Sequence, residues 1–461
     1  MNWLQEQINN NPQRLFIQEG SQSFSYIDVA GIVKTYSQAL LLEGIMPHDR
    51  ILIYLTGGIE MAEIILSCFE IGAIATPISR KLTIDERDAI IEIIKPRLII
   101  TNWDGRDSFK SSNFQIIFIE ELPGSSGGCS IIKIKNNNKS DDICAIILTS
   151  GTTGIPKAVQ LTYGNFAFSC SNWNNFLKFN INDQFLCCLP LHHVGGFAVL
   201  IRALIYGFSV NLVTNFQAEI VLKNIQDYPV TIISLVPTML KRILDYDGGL
   251  EALQSLRWIL LGGGPCPEYL LDICINEKLN IVKVYGMSET CSGTFGLKIL
   301  DEPLNKFYAG RPFPGVKVWI ENDEIHISGP MVMKGYLGNQ ETNGIHNSHD
   351  IGKLNNNLLF LDTRRKDMIV SGGNNINPLE VEEYLMKVDG ISDAAVVGKK
   401  DDEWGQKVTA YIVSVPLKKE LLHRELKKTL SSYKIPKEYI QVSHIPRNEL
   451  GKIIYEKLKY L

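Results

Sequence analysis

The sequence has no uninterrupted apolar run long enough to cross a bilayer, no C-x-x-C pair and no large excess of charge of either sign. Each absence removes a class of protein. The most apolar window, Ile51 to Ile78, carries Glu60, Glu63 and Glu70, and a carboxylate every turn or two of helix is costly in hydrocarbon; the window predicts buried core elements and no membrane span. Lys and Arg number 46 against 50 Asp and Glu, a net charge of -4, so no electrostatic footprint for nucleic acid is present. The cysteines are nine, an odd number, scattered along the chain, which predicts reduced thiols. The opening MNWLQEQINNNPQRLF has no apolar stretch behind a basic start, so a signal peptide is not expected and a cytoplasmic location is. No internal repeat of about 20 to 50 residues is visible, which excludes solenoids and propellers.

What remains is an ordinary globular composition, 45% hydrophobic and 21% charged over 461 residues, or about three domain-equivalents at roughly 150 residues each. Helical and strand-like patterns alternate from 24 to 100: FSYIDVAGIVKTYSQALLLEG reads as helix, ILIYL and LIITN as strands. The pattern fades between 101 and 141, and a lobe junction is expected near 130–141, before the strand DICAIIL. From 142 to 300 strands and helices alternate again (VTIISLV, PTMLKRILDY, LRWILLGGG, PEYLLDICINEKL, IVKVYG), predicting a layered, mostly parallel sheet. After Leu300 come shorter strands with Gly and Pro between them, a small β-rich subdomain. The last hundred or so residues run helix, two strands, helix, strand, a compact α+β module. The expected fold class is therefore α/β: a large N-terminal domain of layered sheets and helices with a β-rich subdomain, then a small C-terminal α+β domain.

Chemistry concentrates first at Leu148 to Lys157, directly after a strand. Two glycines, four hydroxyl residues and a lysine in LTSGTTGIPK suit a polyphosphate. The sequence is not a Walker A loop, which requires Gly-Lys-Ser/Thr; here Pro156 precedes Lys157 and Ala158 follows it. A bare surface turn is the competing reading. A second cluster, Gly262-Gly263-Gly264-Pro265, closes one strand, and Tyr285-Gly286-Met287-Ser288-Glu289-Thr290 closes the next. Ligands of open α/β sheets sit at such carboxyl ends: glycines admit a flat ring, Tyr285 can stack on it, and Glu289 can hold Mg2+ between phosphate oxygens. Taken singly, each cluster is as well explained by a tight turn.

Together these segments resemble the adenylate-forming superfamily of acyl-CoA synthetases, adenylation domains and luciferases. LTSGTTGIPKAV is similar to its phosphate-loop signature, YGMSET to its second core motif, DTRRKDMIVSGGNNINPLEVE to the segment joining its two domains, and PRNELGKIIYEKL to its C-terminal lysine motif; the resemblance covers essentially the whole chain. It implies a two-step ligase, in which a carboxylate attacks the α-phosphorus of ATP and a thiol, usually that of CoA, then takes the acyl group. It further implies a domain of residues 1–363 that binds ATP and the acid, a mobile domain of residues 364–461, and a hinge near Lys366. By motif, Thr149, Ser150, Gly151, Thr152, Thr153, Gly154 and Lys157 would close over the β- and γ-phosphates. Gly263, Gly264, Pro265 and Tyr285 would frame adenine, with Gly262 and Gly286 beside the acyl group. Ser288 would bond an α-phosphate or acyl oxygen and Glu289 would bind Mg2+. Asp350 would accept the ribose hydroxyls, Arg364 would reach ribose or phosphate, Gly372 and Gly373 would line the pantetheine tunnel, and Lys452 would bridge the attacking carboxylate and the α-phosphate. Three departures stand out: Ser288 replaces the usual Thr, Ser348-His349-Asp350 the usual Thr-Gly-Asp, and Thr363 the Gly that usually precedes the arginine.

Within the superfamily, LPLHHVGGFAVLIRALIYG, SLVPTML and YGMSETCS look more like the o-succinylbenzoate:CoA ligases of menaquinone biosynthesis than like fatty-acyl or acetyl ligases. Such a substrate has two carboxylates, and Arg202, in an otherwise apolar helix, is the expected partner of the one not activated; a structural ion pair is the alternative. His193 is expected at the substrate or the CoA path, and His192 in packing. Ligases for another aromatic or fatty acid, and a stand-alone adenylation domain loading a carrier protein, share nearly every motif and stay open, as does a homo-oligomer.

Overall fold

The structure, a computed structural model, describes residues 2–109, 114–123, 138–149, 156–362, 369–371, 374–401, 404–416, 418–449 and 451–458. Four sheets organise them. The largest has nine strands, with a parallel centre formed by Leu15–Glu19, Ser209–Leu212, Gln184–Cys187, Ile232–Leu235, Trp258–Leu261 and Ile281–Met287. Antiparallel strands close both edges: Gln22–Ser25 on one side, Ser292–Lys298 and Arg311–Pro312 on the other. A seven-stranded sheet holds Arg50–Tyr54, Ile74–Pro77, Leu98–Thr101, Gln115–Phe118, Ile143–Thr149, Lys157–Thr162 and Gly335–Tyr336. The parallel strands read as unbroken apolar runs because helices cover them on both faces: Leu98–Thr101 and Ile232–Leu235 are buried at every position.

The junction expected near 130–141 does not divide the chain into lobes. Strand Ile143–Thr149, beyond it, pairs with Ile74–Pro77, before it. The N-terminal strand Leu15–Glu19 instead joins the nine-stranded sheet beside Ser209–Leu212. Turn-rich composition marks where the chain is exposed, and carries no information about which sheet the next strand enters. One core cluster accordingly mixes residues from Trp3 to Leu359.

Between the two large sheets lie the helices Tyr163–Leu177 and Val194–Tyr206. The first starts directly at the end of strand Lys157–Thr162, where Thr162 and Asn165 cap each other's backbone. The Asn165 amide also donates to the carbonyls of Pro330 and Val332 at 2.7 and 2.9 Å, which brings the segment before Tyr336 down onto this corner. The second helix begins after His193, whose side chain makes no capping bond, and stops at Gly207, whose φ of 74° glycine adopts without strain.

The predicted β-rich subdomain is a four-stranded antiparallel sheet of Lys317–Glu321, Glu324–Ser328, Ile345–Asn355 and Leu358–Leu361. The last sheet, Ile369–Ser371, Asn374–Ile376, Ile391–Asp401, Gly405–Ser414 and Glu438–Gln441, has a core drawn wholly from Ile369 to Ile435. Its second helix, Lys419–Leu426, is shorter than KELLHRELKKTLSSY suggested. The expected boundary at 363/364 and the hinge Lys366 fall in 363–368, outside the described residues. Among the described residues no helix is long and apolar enough to cross a membrane.

Of the carboxylates in the apolar window Glu60 is exposed and Glu70 half-buried, and only Glu63 is accommodated by losing charge. Glu63, on helix Gly58–Ile71, is 4% exposed; burial, followed by the charges of Glu60 and Glu19, pushes its carboxyl up to about 8. The folded protein thus keeps this proton to about pH 8 while the unfolded chain releases it near 4.5, so Glu63 weakens the fold increasingly as pH rises through that window. Glu63→Gln should match the wild-type melting temperature near pH 5 and exceed it at pH 8, by on the order of 1–3 kcal/mol of stability. Thermal unfolding at the two pH values measures this, and a gap independent of pH would count against it.

Candidate active site

Strand Ile281–Met287 and its return strand Ser292–Lys298 bring Gly286 opposite Gly293, with a register shift between Tyr285 and Gly286. A Cβ on Gly286 would sit 2.1 Å from the Ser292 carbonyl oxygen, and one on Gly293 2.2 Å from Val284 Cγ1. Only glycine allows that approach. The turn between the strands is compressed, with Cys291 and Ser292 at φ 52° and 90°, and its neighbours point in three directions. Tyr285 donates its hydroxyl to Asp350 Oδ2 at 2.8 Å. Glu289 Oε1 accepts from the Tyr336 hydroxyl at 2.8 Å. Ser292 Oγ accepts from Arg202 Nη2 at 2.8 Å and from Trp173 Nε1 at 3.3 Å.

Tyr336 links two of the motifs. Its short strand pairs with Lys157–Thr162, and the Met333 N–H donates to the Glu289 carbonyl at 2.8 Å. On its ring, 5.0 Å from the centroid, lies Lys157 Nζ, a contact worth about 0.5–1 kcal/mol where exposed. Thr149 and Lys157 face each other at the base of the hairpin that carries the polyphosphate motif. Ser150, Gly151, Thr152, Thr153 and Gly154 lie outside the described residues, as do Arg364, Gly372 and Gly373.

Asp350 comes from the four-stranded sheet, on strand Ile345–Asn355. Ser348 Oγ accepts the Asp350 N–H at 3.1 Å and donates to the Ile325 carbonyl at 2.8 Å, with His349 at φ 56° between them; the serine of this departing triplet fixes the turn. Beside it is His346, a residue not anticipated from the sequence. Burial lowers its pKa, Glu289 and Asp350 oppose that, and His349 and Lys157 add to it. On the neighbouring strand end Gly263 has φ 82°, with a would-be Cβ 3.0 Å from Val236 Cγ1, and one on Gly262 would lie 3.1 Å from the Val284 carbonyl oxygen. Gly263, Gly264 and Pro265 are exposed and Ser288 is half-buried.

The structure thus brings Lys157, Glu289, Tyr336, Tyr285, Asp350 and His346 together beside the strand ends. Half-buried Glu289, with one oxygen held by a phenol, suits a Mg2+ ion shared with a ligand's phosphates, since Mg2+ takes few protein carboxylates and keeps the rest of its shell for substrate and water.

Arg202 lies elsewhere, on the Val194–Tyr206 helix, roughly 13 Å along the axis from His193 at 1.5 Å per residue. It is 2% exposed, its guanidinium carbon is 4.4 Å from the Trp173 ring centroid, and Nε has no hydrogen-bond partner. Burial lowers its pKa. The alternative of a structural ion pair has no support here: among the described residues no carboxylate lies within salt-bridge distance of it.

The C-terminal region adds residues 447–449 and 451–453. Gly451, at φ 71°, has its would-be Cβ 2.4 Å from Thr238 Oγ1 and 3.3 Å from Val236 Cγ2, the valine that also meets Gly263. Lys452 is exposed, and its charge lowers the pKa of His193 behind the larger effects of burial and His192. Next to it Glu449 meets His192 Nε2 at 2.5 Å, so His192 does more than pack. His192, His193 and Glu449 bring donor atoms within 4.8 Å of one another, but two donors on one zinc at about 2.0–2.1 Å each stand more than about 3 Å apart, and the 2.5 Å contact leaves no room for an ion. Neither Glu449 nor Tyr336 was singled out from the sequence; Glu449 had the signal of standing inside the C-terminal motif, and Tyr336 had none.

Family models match on both sides of this geometry: AMP-binding enzyme over residues 4–337 and AMP-binding enzyme C-terminal domain over residues 380–452. The chain belongs to the AMP-binding enzyme family. It is similar to the 2-succinylbenzoate–CoA ligase of Oceanobacillus iheyensis, at 35% identity over 99% of this chain and 98% of that one. Among solved structures it is similar to o-succinylbenzoate CoA synthetase of Bacillus subtilis in complex with the acyl-adenylate intermediate OSB-AMP, with a TM-score of 0.92 at 32% identity, covering 99% of this chain and 98% of that one. A double mutant of that enzyme bound to its product analogue OSB-NCoA gives a TM-score of 0.76, again at 32% identity, covering 100% of this chain and 98% of that one. AMP-binding family membership agrees with a site that pairs a lysine, a magnesium-suited carboxylate and a second acid at the strand ends.

The proximity of His346 to Glu289 has a titration consequence. His346 should titrate below an ordinary histidine, and Glu289→Gln should lower its pKa further by removing an opposing charge. NMR of the histidine ring protons against pH reads this; an unchanged or raised value in the variant would contradict the arrangement.

Proposed function

We propose that this protein is an ATP-dependent acid:CoA ligase that converts o-succinylbenzoate, through its acyl-adenylate, into the CoA thioester used in menaquinone biosynthesis. The observation that carries the substrate choice is Arg202: a guanidinium 2% exposed, with one nitrogen unpaired and no carboxylate in salt-bridge reach among the described residues. A buried cation without an anion is strongly destabilising, and a dicarboxylic substrate completes the pair. The names of the relatives agree with that substrate.

In the first step one substrate carboxylate displaces pyrophosphate from the α-phosphorus. Lys157 and Thr149, with residues 150–154, would hold the β- and γ-phosphates, and Glu289 would hold a Mg2+ ion that supplies charge neutralisation when bound. Asp350, oriented by Tyr285, accepts the ribose hydroxyls, and the Gly263-Gly264-Pro265 loop, Tyr285 and Gly286 wall the adenine and acyl groups. Because the Tyr285 hydroxyl is committed to Asp350, this residue positions the carboxylate as well as framing the base. Ser288 and Arg364 bond the α-phosphate, and Lys452 sits between the approaching anionic oxygens, where a fixed cation offsets their repulsion. In the second step the CoA thiol attacks the acyl carbon along Gly372 and Gly373, past His193, and AMP leaves. A small domain of residues 364–461 turning about Lys366 on a domain of residues 1–363 belongs to the same proposal; the higher TM-score to the adenylate-bound relative supports reading the present arrangement as that of the first step.

Pyrophosphate release measured across a panel of carboxylic acids tests the substrate, with o-succinylbenzoate expected to exceed benzoate, medium-chain fatty acids and acetate in kcat/KM. Arg202→Ala should reduce kcat/KM for o-succinylbenzoate roughly 30- to 900-fold, equivalent to about 2–4 kcal/mol, with KM for ATP nearly unchanged. A fatty-acid preference would overturn the substrate while sparing the ligase. Equal losses toward ATP and acid would return Arg202 to a structural role. Product formation with free CoA distinguishes the ligase from a domain that loads a carrier protein.

A further inference from the structure

The described residues around Lys452 are tied to one another by hydrogen bonds. The Asn448 N–H donates to the Lys452 carbonyl at 2.8 Å, and the Lys452 N–H to Asn448 Oδ1 at 2.9 Å. Arg447 bonds the Gly451 carbonyl at 2.8 Å and Asp393 Oδ1 at 2.7 Å, fastening the turn to strand Ile391–Asp401. Residues tied in this way move as one piece, so whatever holds their tip against the sheets also sets where Lys452 stands.

At that tip Glu449, with a side chain 17% exposed, reaches four partners on two separate loops. Its Oε1 accepts from Ser79 Oγ at 2.8 Å and faces Lys81 Nζ at 3.5 Å, both just beyond strand Ile74–Pro77. Its Oε2 meets His192 Nε2 at 2.5 Å and His193 Nε2 at 3.7 Å, at the mouth of the Val194–Tyr206 helix. Burial opposes charge on this carboxyl, but the hydrogen bonds from His192 and Ser79, with His193 close by, outweigh it and hold Glu449 well below the usual carboxylate range. The carboxylate also walls a cavity of about 130 Å³ shared with Ser79, Arg80 and His192.

We infer that Glu449 is a positioning residue for the adenylation step: by docking on Ser79 and His192 it fixes the 447–453 turn, and with it Lys452, at the reacting oxygens, and it must let go before the second half-reaction. The inference rests on the acyl-adenylate reading of the site. A docking carboxylate of this kind stabilises one of two domain arrangements without touching substrate, so its loss shifts the population of the competent state and lowers the observed rate by the same fraction.

The test separates the half-reactions. In ATP–pyrophosphate exchange with o-succinylbenzoate, Glu449→Ala should be at least about tenfold slower than wild type, with KM for ATP and acid little changed. Supplied with preformed acyl-adenylate and CoA, it should make thioester at the wild-type rate or faster. His192→Ala should show the same split, and the double variant should be no slower than the slower single, as expected of two residues acting through one contact. Melting temperatures of all three identify any variant that merely misfolds. Exchange at the wild-type rate in Glu449→Ala, equal slowing of both half-reactions, or additive losses in the double variant would overturn the inference. Amide hydrogen exchange across 447–454, read without substrate, supplies the independent measurement: faster exchange in Glu449→Ala supports docking and unchanged exchange overturns it. Failure of the wild type to exchange pyrophosphate with any carboxylic acid would remove the ligase reading, and would leave the docking question to that second measurement.

Discussion

The close approach of the Gly286 and Gly293 backbones is the constraint on which the site depends. With no Cβ on either strand, Ile281–Met287 and Ser292–Lys298 can turn back on each other through the short segment 288–291 and still keep their ladder. That turn spreads three polar contacts over three layers of the molecule: Tyr285 onto Asp350 of the four-stranded sheet, Glu289 onto Tyr336 of the seven-stranded sheet, and Ser292 onto Arg202 of the helix layer. A single methyl at Gly286 would press on the Ser292 carbonyl, a backbone atom with little freedom to yield, and so would disturb all three at once. The positive φ values at Cys291 and Ser292 are the strain that this arrangement stores.

Much of the local structure was legible from pattern. Helix Tyr26–Leu42 and strands Arg50–Tyr54, Leu98–Thr101 and Ile281–Met287 follow from apolar periodicity and capping residues, and Gly262, Gly263, Gly264 and Gly286 stand at strand ends as their composition implied. Sheet membership was not legible. That Leu15–Glu19 pairs with Ser209–Leu212, nearly two hundred residues on, is decided by burial of two faces at once, which no window of the chain encodes. The site divided in the same way. Lys157, Glu289 and Asp350 were legible because each sits in a motif; Tyr336, His346 and Glu449 were missed because their partners lie far off in sequence, and contacts at that range leave no periodic trace. Arg202 was conspicuous for being a charge in an apolar helix, and its burial without an acid sharpens what the pattern alone suggested.

Three acids show two ways of holding a carboxyl group away from water. Glu63 and Glu382 are both pushed up to about 8 chiefly by burial, so each can be buried as a neutral acid. Glu382 accepts the Val396 N–H at 2.8 Å and lies 3.4 Å from the Tyr455 hydroxyl, close to the Arg447–Asp393 pair that fastens the C-terminal turn. Glu449 is the contrasting case, ionised because histidine and serine donors surround it. Glu63 and Glu382 thus sit in the interior as neutral acids, whereas Glu449 stays charged at a contact between regions far apart in the sequence.

The eight described cysteines are all unpaired, and seven are buried; Cys129 lies outside the described residues. Burial pushes Cys170, Cys187 and Cys274 up to about 12 and raises Cys68, Cys144 and Cys291 above the ordinary thiol range. Since the thiolate is the reactive form, these sulfurs are nearly inert toward peroxide and alkylating reagents while the sheets stay closed. The same atoms become ordinary nucleophiles in any opened chain. The core therefore carries its own chemical record of unfolding: the count of modified sulfurs in an aged sample reports how much of it has ever been open.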